Sequence, residues 1–400
     1  MTAAPIVNPS SPVSPAAEKG VLLTDAQLAR FHERAAGYDR DNAFFAEDFE
    51  ELRAAGYLVA PIPPEFGGRG LPLGALAREQ RRLAYWAPAT ALAVNMHLYW
   101  TGPTTALYRR GETTLRWLLD AVGSGAVLAA GHGEPGNDLG LDDSLTSAVP
   151  RPEGGYTFTG RKTFTSLSPV WDKLGLHGRD DSDPDRPKIV HAFVDRDSPG
   201  VSTVPVWDAL GVRATASDDT VLESVAVPAE RVVAVQELGG PYPPFVAGIF
   251  QWYLPLVSNV YFGIARRALD LAIQASVRRG TLALPGRTHA HKPAVQRQIG
   301  QAEIALDAAW SLLEKAVADL EDSADYGRWW TPRLFAAKEF AVSTAKQVVD
   351  VAVQVVGASS VSKRHELERL YRDVRTGSLH PPNSDAVLDV IGRTALGLFP

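Results

Sequence analysis

The sequence predicts an α+β protein with an N-terminal α-helical domain, a middle antiparallel β domain and a C-terminal four-helix bundle. Apolar residues recur at three- and four-residue intervals up to about Ala126 and again from about Pro241, a spacing typical of amphipathic helices. Between these regions, short runs alternate polar residues with β-branched and aromatic ones, as strands do. Because the chain has 400 residues, it is long enough for two or three such units.

The composition excludes several classes of protein. An apolar fraction of 45% with 22% charged residues is that of an ordinary globular chain. The net charge of −6 is spread along the sequence, which argues against a nucleic-acid partner. The sequence has no cysteine, so disulfides, thiolate catalysis and cysteine-bound metals are excluded. We also expect no metal site, because His289 and His291 have no carboxylate at ligand spacing.

Changes in composition place the domain boundaries at residues 20, 126 and 230. Residues 1–20 are rich in Pro, Ser and Ala and lack the basic start and apolar core of a signal peptide, so they predict a disordered tail. The folded parts are then residues 21–126, 127–230 and 231–400. No run reaches the roughly 20 apolar residues that a membrane-spanning helix needs. We therefore expect a cytoplasmic protein that does not contact a membrane.

The individual elements follow from the same patterns. The first helix begins after Leu22, where Thr24 or Asp25 can cap it, and the segment PIPPEFGGRG interrupts the helical pattern with prolines and glycines. The predicted strands are the runs YTFTGRKTF, KIVHAFVD, GVSTVPV and VLESVAVP. The predicted bundle helices are Phe245–Arg279, Lys292–Leu320, Thr331–Val356 and Glu366–Val374, followed by a helix from Ser384.

Two segments of the β domain are candidate ligand sites. In AAGHGEPGNDL, glycines flank Glu134-Pro135, so backbone N–H groups can approach a flat ligand closely. In GRKTFTSLS, an aromatic residue is followed by hydroxyl side chains. Each segment alone also fits a simpler structure, a β-turn loop for the first and an amphipathic strand for the second.

Residues 352–375 resemble the closing helices of the acyl-CoA dehydrogenase superfamily. Gln354 and Gly357 stand where the family has Gln-x-x-Gly-Gly, on which a neighbouring subunit's flavin lies, and Arg369 to Arg375 follow at the family's spacing. The resemblance extends over about residues 22–398. It implies the acyl-CoA dehydrogenase-like fold and a homotetramer, a dimer of dimers with flavin at the subunit boundary.

The same resemblance assigns both candidate segments to the flavin. The family's loop runs along the pyrimidine edge of the ring, and here Gly133 replaces its threonine. The family's strand stacks an aromatic residue on the ring, and Phe164 and Ser166 match its aromatic and hydroxyl positions. The implied cofactor contacts, together with Gln354 and Gly357, are His132, Gly133, Glu134, Phe164, Thr165 and Ser166.

The sequence departs from the family at the catalytic base. One of the family's glutamate positions is filled by the segment LHPPN, residues 379–383, and the other by Tyr253. Dehydrogenation of an acyl thioester needs a base for the acidic α-proton, and His380 is the candidate that remains. The turn after the first bundle helix also lacks the family's Arg-x-x-Phe-Gly grip on adenosine, which leaves FMN or reduced FAD open.

His97, His380 and Ser166 match a branch of the superfamily, the oxygenase components of two-component flavin monooxygenases. This branch includes dibenzothiophene monooxygenase and the nitrososugar synthases, in which the histidines flank the flavin. The resemblance therefore implies that these three residues are catalytic. A lone histidine on an apolar helix such as His97 is otherwise typical of a hydrogen-bonded core residue.

We therefore predict a flavin-dependent monooxygenase that takes reduced FMN or FAD from a separate flavin reductase and oxygenates a small organic substrate. The chain has no Gly-x-Gly-x-x-Gly nicotinamide fingerprint, so another protein must reduce the flavin. Apolar aromatic helices predict a dry substrate pocket that includes Tyr99, Trp252 and Tyr253. Two alternatives stay open: an acyl-CoA or acyl-carrier dehydrogenase with FAD and a relocated base, and a non-catalytic binding protein on the same scaffold.

Overall fold

The computed structural model describes residues 21–398, in which five α-helices precede the first strand. These helices are α1 (Asp25–Asp41), α2 (Ala46–Ala54), α3 (Leu73–Trp86), α4 (Pro88–Arg109) and α5 (Arg116–Gly123). The predicted cap of α1 is confirmed: the Thr24 hydroxyl accepts a hydrogen bond from the Gln27 amide, and the Gln27 side chain accepts one from the Thr24 amide. The predicted disordered tail, residues 1–20, lies outside the described residues.

Eight strands of the described chain form one sheet. They are β1 (Leu128–Gly131), β2 (Ser147–Pro150), β3 (Tyr156–Thr165), β4 (Lys173–Asp180), β5 (Lys188–Asp195), β6 (Val201–Val204), β7 (Asp218–Val227) and β8 (Val232–Glu237). Their order is β6-β7-β3-β2-β4-β5-β8, with β1 beside β4. Most neighbours are antiparallel, but the sheet is mixed because β1 and β2 both pair with β4 in parallel. The last strand lies beyond residue 230 and pairs with β5.

Long helices return after the sheet and form the C-terminal bundle. They are α6 (Pro244–Arg278), α7 (Pro293–Glu321), α8 (Trp330–Val356), α9 (Glu366–Asp373) and α10 (Ser384–Ala395). The predicted helices agree with these bounds to within about one residue, as their strong periodicity leads one to expect. Helix α6 packs against α7 and α8 and also against α3 and α4, so it joins the bundle to the N-terminal helices.

Helix α6 is apolar on all sides because it is surrounded by protein. It is the one helix of residues 21–398 long and apolar enough to cross a membrane, but 78% of its most apolar window is buried inside the protein. A helix that is hydrophobic all round and enclosed by other helices is a core helix. Helix α6 therefore belongs to the core of the protein.

Two glycines bring α4 and α6 into direct contact. A Cβ atom on Gly102 of α4 would lie 2.0 Å from a ring carbon of Trp252, and one on Gly248 of α6 would lie 2.7 Å from Cβ of Pro103. Because glycine has no side chain, the helices can approach until the Trp252 ring lies on the backbone of α4. The same crossing places Tyr99 of α4 beside Tyr253 of α6.

Candidate functional site

His97 is fully buried in α4, and both of its ring nitrogens are bonded to backbone groups. The Leu128 amide donates to Nδ1 at 2.9 Å, so Nε2 carries the hydrogen and donates to the Leu58 carbonyl, also at 2.9 Å. Burial lowers the pKa of His97 to about 4, which keeps the ring neutral near pH 7. Since neither nitrogen is left for a ligand, this geometry favours the core-residue alternative for His97.

The loop after β1 carries His132, Gly133 and Glu134 and lies against the end of β3. Gly133 pairs with Thr163, and a Cβ atom on Gly133 would lie 2.8 Å from the Thr163 carbonyl oxygen. Glycine at this position is therefore needed for the loop to reach the strand. The two segments that resemble flavin-binding elements are therefore adjacent in the structure.

The Glu134 carboxylate is buried and holds this loop in place. It accepts hydrogen bonds from Lys162 Nζ at 2.6 Å, the Thr146 hydroxyl at 2.6 Å and the Ser144 hydroxyl at 2.7 Å. Burial alone would raise the pKa of Glu134, but Lys162 and the neighbouring donors outweigh it and hold that pKa well below its usual range. Because the carboxylate is hydrogen-bonded to other groups of the protein, we expect a ligand at Glu134 to contact its backbone and not its side chain.

Two facing segments at the end of β3 have an uncommon backbone conformation. Four of the seven non-glycine residues with positive φ in the described chain lie here, namely Phe164 (59°), Leu167 (68°), Val212 (48°) and Ala216 (46°). The Leu167 amide donates to the carbonyl of Thr215, which ties the segments together. Such conformations cost about 1–3 kcal/mol each and are concentrated at functional sites.

The Phe164 ring is 67% exposed at this strained turn. It meets Trp207 edge to face with ring centroids 6.4 Å apart, and the Trp207 indole donates to the Arg213 carbonyl at 2.7 Å. An exposed aromatic ring on a fixed backbone suits stacking against a flat ligand. The position of Phe164 therefore fits the flavin contact that the resemblance implies.

The hydroxyl groups beside Phe164 are buried and bonded to each other. Ser166 Oγ lies 2.8 Å from Ser217 Oγ, which lies 2.7 Å from Thr215 Oγ1. Thr165 accepts a hydrogen bond from the Thr220 hydroxyl at 3.1 Å. Ser166 therefore ends a chain of hydroxyls. Ser217 and Thr215 were not among the predicted site residues, because they lie on a turn that is distant in sequence and meets Ser166 only in the folded sheet.

Of the predicted pocket residues, Tyr99 and Tyr253 form one wall, and Trp252 lies against Gly102 of α4. The rings of Tyr99 and Tyr253 meet edge to face with centroids 5.4 Å apart, and the Tyr99 hydroxyl lies 3.4 Å from Nδ1 of His132. Burial raises the pKa of Tyr99 and of Tyr253 above the usual value, so both hydroxyls stay protonated. The wall is apolar and extends to the loop after β1 through His132.

His380 is half-buried, and a chain of hydrogen bonds fixes its tautomer. Nε2 lies 2.6 Å from the Tyr261 hydroxyl, which lies 2.8 Å from Thr376 Oγ1. Thr376 gives its only hydrogen to the Asp373 carbonyl at 2.9 Å, so Tyr261 donates to Thr376 and accepts from Nε2. The Nδ1 atom of His380 is therefore the nitrogen with the lone pair.

The environment of His380 keeps its ring neutral. Burial, and secondly the charge of Lys338, lower the pKa of His380 to about 4. Within residues 21–398, Nδ1 has no hydrogen-bond partner, whereas Nε2 is bound to Tyr261. Near pH 7, His380 is thus arranged to accept a hydrogen bond or a proton at Nδ1.

Lys338 of α8 holds the segment that carries His380. Its side chain is fully buried, and Nζ donates to the carbonyls of Pro382 at 2.9 Å and His380 at 3.3 Å. Pro381 and Pro382 have no backbone N–H, so this segment cannot be fixed by its own amide donors. Lys338 supplies the missing hydrogen bonds, and it was not among the site residues predicted from the sequence.

Gln354 and Gly357 lie far along α8 from Lys338. Gly357 follows Lys338 by nineteen positions, which corresponds to about 28 Å at 1.5 Å per residue. Gln354 is exposed, and Gly357 ends the helix with φ 79°. Arg279 donates to the carbonyl of Val356 beside it at 3.1 Å. These two residues therefore lie at the other end of α8 from the segment that carries His380, as expected if they serve a neighbouring subunit.

Tyr261 was not among the site residues predicted from the sequence. It contacts His380 directly, whereas Tyr253 precedes it by about two turns of α6. A sequence signal for Tyr261 exists, since it follows Tyr253 by eight residues and the two share a helix face. Ser166 is bonded instead to the separate hydroxyl chain.

These residues fit a bound flavin. Phe164 offers an exposed aromatic face on a strained backbone, and the neighbouring loop approaches it through Gly133. The Tyr99 and Tyr253 wall supplies an apolar surface, and His380 supplies one free acceptor nitrogen. A large apolar surface with few polar groups is typical of sites for flat cofactors and small molecules.

Comparison with known proteins identifies the family. Residues 256–384 match the family described as acyl-CoA dehydrogenase, C-terminal domain. The chain is 32% identical to the putative acyl-CoA dehydrogenase YdbM of Bacillus subtilis, covering 91% of this chain and 93% of the relative. It is 30% identical to L-evernosamine nitrososynthase of a Micromonospora species, covering 97% and 92%. It is 28% identical to dibenzothiophene monooxygenase of Rhodococcus qingshengii, covering 92% and 91%.

A solved structure shows the same relationship. KijD3, in a complex with FMN and a dTDP-linked amino keto sugar, is 28% identical and superimposes with a TM-score of 0.84, covering 98% of this chain and 96% of that one. The expected resemblance, including the branch with nitrososynthases and dibenzothiophene monooxygenase, is confirmed. The chain belongs to the acyl-CoA dehydrogenase superfamily of flavin-dependent oxidoreductases.

Proposed function

We propose that the protein is a monooxygenase that uses reduced flavin, supplied by a separate reductase, and O₂ to oxygenate a small organic substrate. The observation that carries this proposal is the neutral His380, with its Nδ1 lone pair free, at a site where the family's dehydrogenases hold a glutamate. The position of Tyr253 likewise offers a phenol and no carboxylate. The nitrososynthase and monooxygenase relatives support the same reaction class.

Different residues would contribute to different parts of such a reaction. Bound flavin supplies the activation of oxygen. Phe164 would hold the ring by stacking, and the apolar wall with Tyr99 and Trp252 would exclude water from it. His380 would accept a hydrogen bond or proton at Nδ1, while the hydroxyl of Ser166 donates from the other cluster.

The cofactor that we propose is reduced FMN, with reduced FAD as the alternative. The structure described for KijD3 contains FMN. In this chain the loop after α6 lacks the family's adenosine grip but lines a cavity of 580 Å³ with Arg278, Arg287 and Thr288. Arginines bind phosphate oxygens well, so this loop, close to Gly357, suits the phosphate end of a neighbouring subunit's flavin.

A rapid-mixing experiment tests the proposed reaction. The protein is mixed anaerobically with reduced FMN or FAD and then with oxygenated buffer, and flavin absorbance is followed. We expect oxidation in two resolved phases, and we expect His380→Phe to change the rate of the second phase. Oxidation in a single phase, together with acyl-CoA-dependent bleaching of oxidised flavin, would establish the dehydrogenase alternative that the similarity to YdbM favours.

We further propose that the protein acts as a homotetramer, a dimer of dimers, in the cytoplasm. Several large apolar side chains are exposed on the bundle and at its C-terminal end, as expected of a surface covered by other subunits. They are Ile304, Phe340, Leu379, Leu388, Leu396 and Leu398. Sedimentation equilibrium should give four times the chain mass of 43.1 kDa, and a monomer would contradict the proposal.

A further inference from the structure

Three histidines meet behind the pocket wall: His132 after β1, His177 on β4 and His191 on β5. The ring centroids of His132 and His177 are 5.6 Å apart, and those of His177 and His191 are 5.9 Å apart. The three residues are here called the histidine cluster.

Four nitrogens of the histidine cluster have no hydrogen-bond partner within residues 21–398. They are Nε2 of His132, Nδ1 of His177 and both nitrogens of His191. His177 and His191 are at most 2% exposed, and Nε2 of His177 donates to the Asp143 carbonyl at 3.0 Å, which leaves the lone pair on its Nδ1. Buried polar groups without partners are costly, and native proteins commonly pair them with ordered water.

The charges around the histidine cluster point to a neutral ligand. Burial is the main cause that lowers the pKa of each of the three rings, to about 3 for His191. The nearest charged groups are Lys162 and Glu134, which form a buried ion pair, and Lys162 also donates to the His177 carbonyl at 2.6 Å. This pair has no net charge. The cluster thus offers uncharged donors and acceptors in a buried space.

A single bridging water molecule would give hydrogen-bond partners to two of the four unpartnered nitrogens. Two hydrogen bonds of about 2.8 Å through one water oxygen span nitrogens up to about 5.6 Å apart. We propose that the histidine cluster binds an ordered internal water, and that this water exchanges protons with the pocket through His132 and the Tyr99 hydroxyl. When one proton arrives at Nε2 of His132 and another leaves Nδ1, the ring stays neutral. The Nδ1 atom lies 3.4 Å from the Tyr99 hydroxyl.

The water site is tested first without any cofactor. A high-resolution crystal structure of the full chain should show a water within hydrogen-bond distance of at least two of the four nitrogens. Rings that bond directly to one another, or a closely packed dry cluster, would overturn the site. Thermal unfolding of His191→Leu gives a second readout, because in a dry cluster this change removes two unpaired nitrogens and should leave Tm unchanged or raise it. We expect a lower Tm.

The proton route rests on the proposed oxygenase function and is tested by the same rapid-mixing experiment. In His191→Leu the second oxidation phase should slow by about ten-fold, while flavin affinity is unchanged. His191→Gln keeps a donor and an acceptor and should restore the rate. Val190→Ala, a buried change on the opposite face of β5, controls for altered packing. An unchanged rate in His191→Leu would overturn the route. A wild-type protein with a single phase would instead contradict the proposed function and leave the water site to the crystal structure.

Discussion

At the scale of single residues, the two histidines that match the monooxygenase branch are arranged differently. Both rings are neutral, because burial lowers the pKa of each to about 4. Both ring nitrogens of His97 are hydrogen-bonded to backbone groups, whereas in His380 only Nε2 is hydrogen-bonded, to Tyr261. Since chemistry needs an uncommitted atom, His380 is the stronger candidate for contact with reacting groups, and His97 the stronger candidate for holding the fold.

Replacement of Lys338 by Met should disturb His380 without touching its ring. The change removes both hydrogen bonds to the carbonyls of His380 and Pro382 and a positive charge that lowers the pKa of His380. We expect that pKa to rise and the second oxidation phase to slow about ten-fold, because the ring loses its fixed position. The pKa can be measured by NMR of carbon-labelled histidine, with His380→Phe used to assign the signal.

The matched control for this prediction is Lys338→Arg, which keeps the charge and the donors. It should return the pKa of His380 most of the way to the wild-type value. If Lys338→Met lowers thermal stability but leaves that pKa and the second phase unchanged, Lys338 only stabilises the bundle and does not position His380.

At the scale of elements, the pocket wall depends on the close crossing of α4 and α6. Trp252 lies on α4 because Gly102 has no side chain, and α6 reaches Pro103 through Gly248. The crossing brings Tyr99 and Tyr253 into edge-to-face contact. The position of this wall is therefore set by backbone contact between two core helices, and not by flexible loops.

Gly102→Ala should destabilise the protein and move Trp252. An added Cβ would lie 2.0 Å from the indole ring, and overpacking of this kind typically costs about 1–3 kcal/mol. Urea unfolding measures the loss, and tryptophan fluorescence reports the displaced ring. Gly300→Ala is the control, since Gly300 lies in α7 with no atom near its Cβ position. There the higher helix propensity of alanine should stabilise the protein by up to about 1 kcal/mol. Equal effects at both glycines would contradict this account.

The sequence predicted the helices and strands better than it predicted which side chains of different elements contact each other. The bundle helices were placed correctly because a long run of period 3.6 leaves little choice of structure. The partners of His380 could not be read in this way, since Tyr261 and Lys338 come from α6 and α8 and meet it only in the folded bundle. Glu134 was predicted as a cofactor contact, but its carboxylate is occupied by Lys162 and nearby hydroxyls, a fact of three-dimensional packing.

At the scale of the whole molecule, buried neutral histidines make stability depend on pH. Burial lowers the pKa of His97, His132, His177, His191 and His380 below the ordinary value of 6.5. As the pH falls, the unfolded chain binds protons at these residues before the folded chain does. The stability that these five residues contribute is therefore complete above about pH 6.5 and decreases as the pH falls toward 4.

His97 alone should account for a measurable part of this loss. With a pKa of about 4 in the folded chain, it should reduce the free energy of unfolding by about 2 kcal/mol between pH 7 and pH 5. Urea unfolding at the two pH values measures the difference. His97→Gln keeps a donor and an acceptor but does not titrate, so its difference should be smaller by that amount. An equal difference in both proteins would contradict the assigned tautomer and burial of His97.

The two hydrogen bonds of His97 also have a consequence for how the molecule opens. One imidazole links the loop after α2 to the first strand of the sheet, through Leu58 and Leu128, and the candidate flavin loop begins directly after that strand. Amide exchange at Leu128 requires this link to break, so β1 and the N-terminal helices should exchange as one cooperative unit. The candidate flavin loop is thereby anchored from a segment that lies outside the β domain.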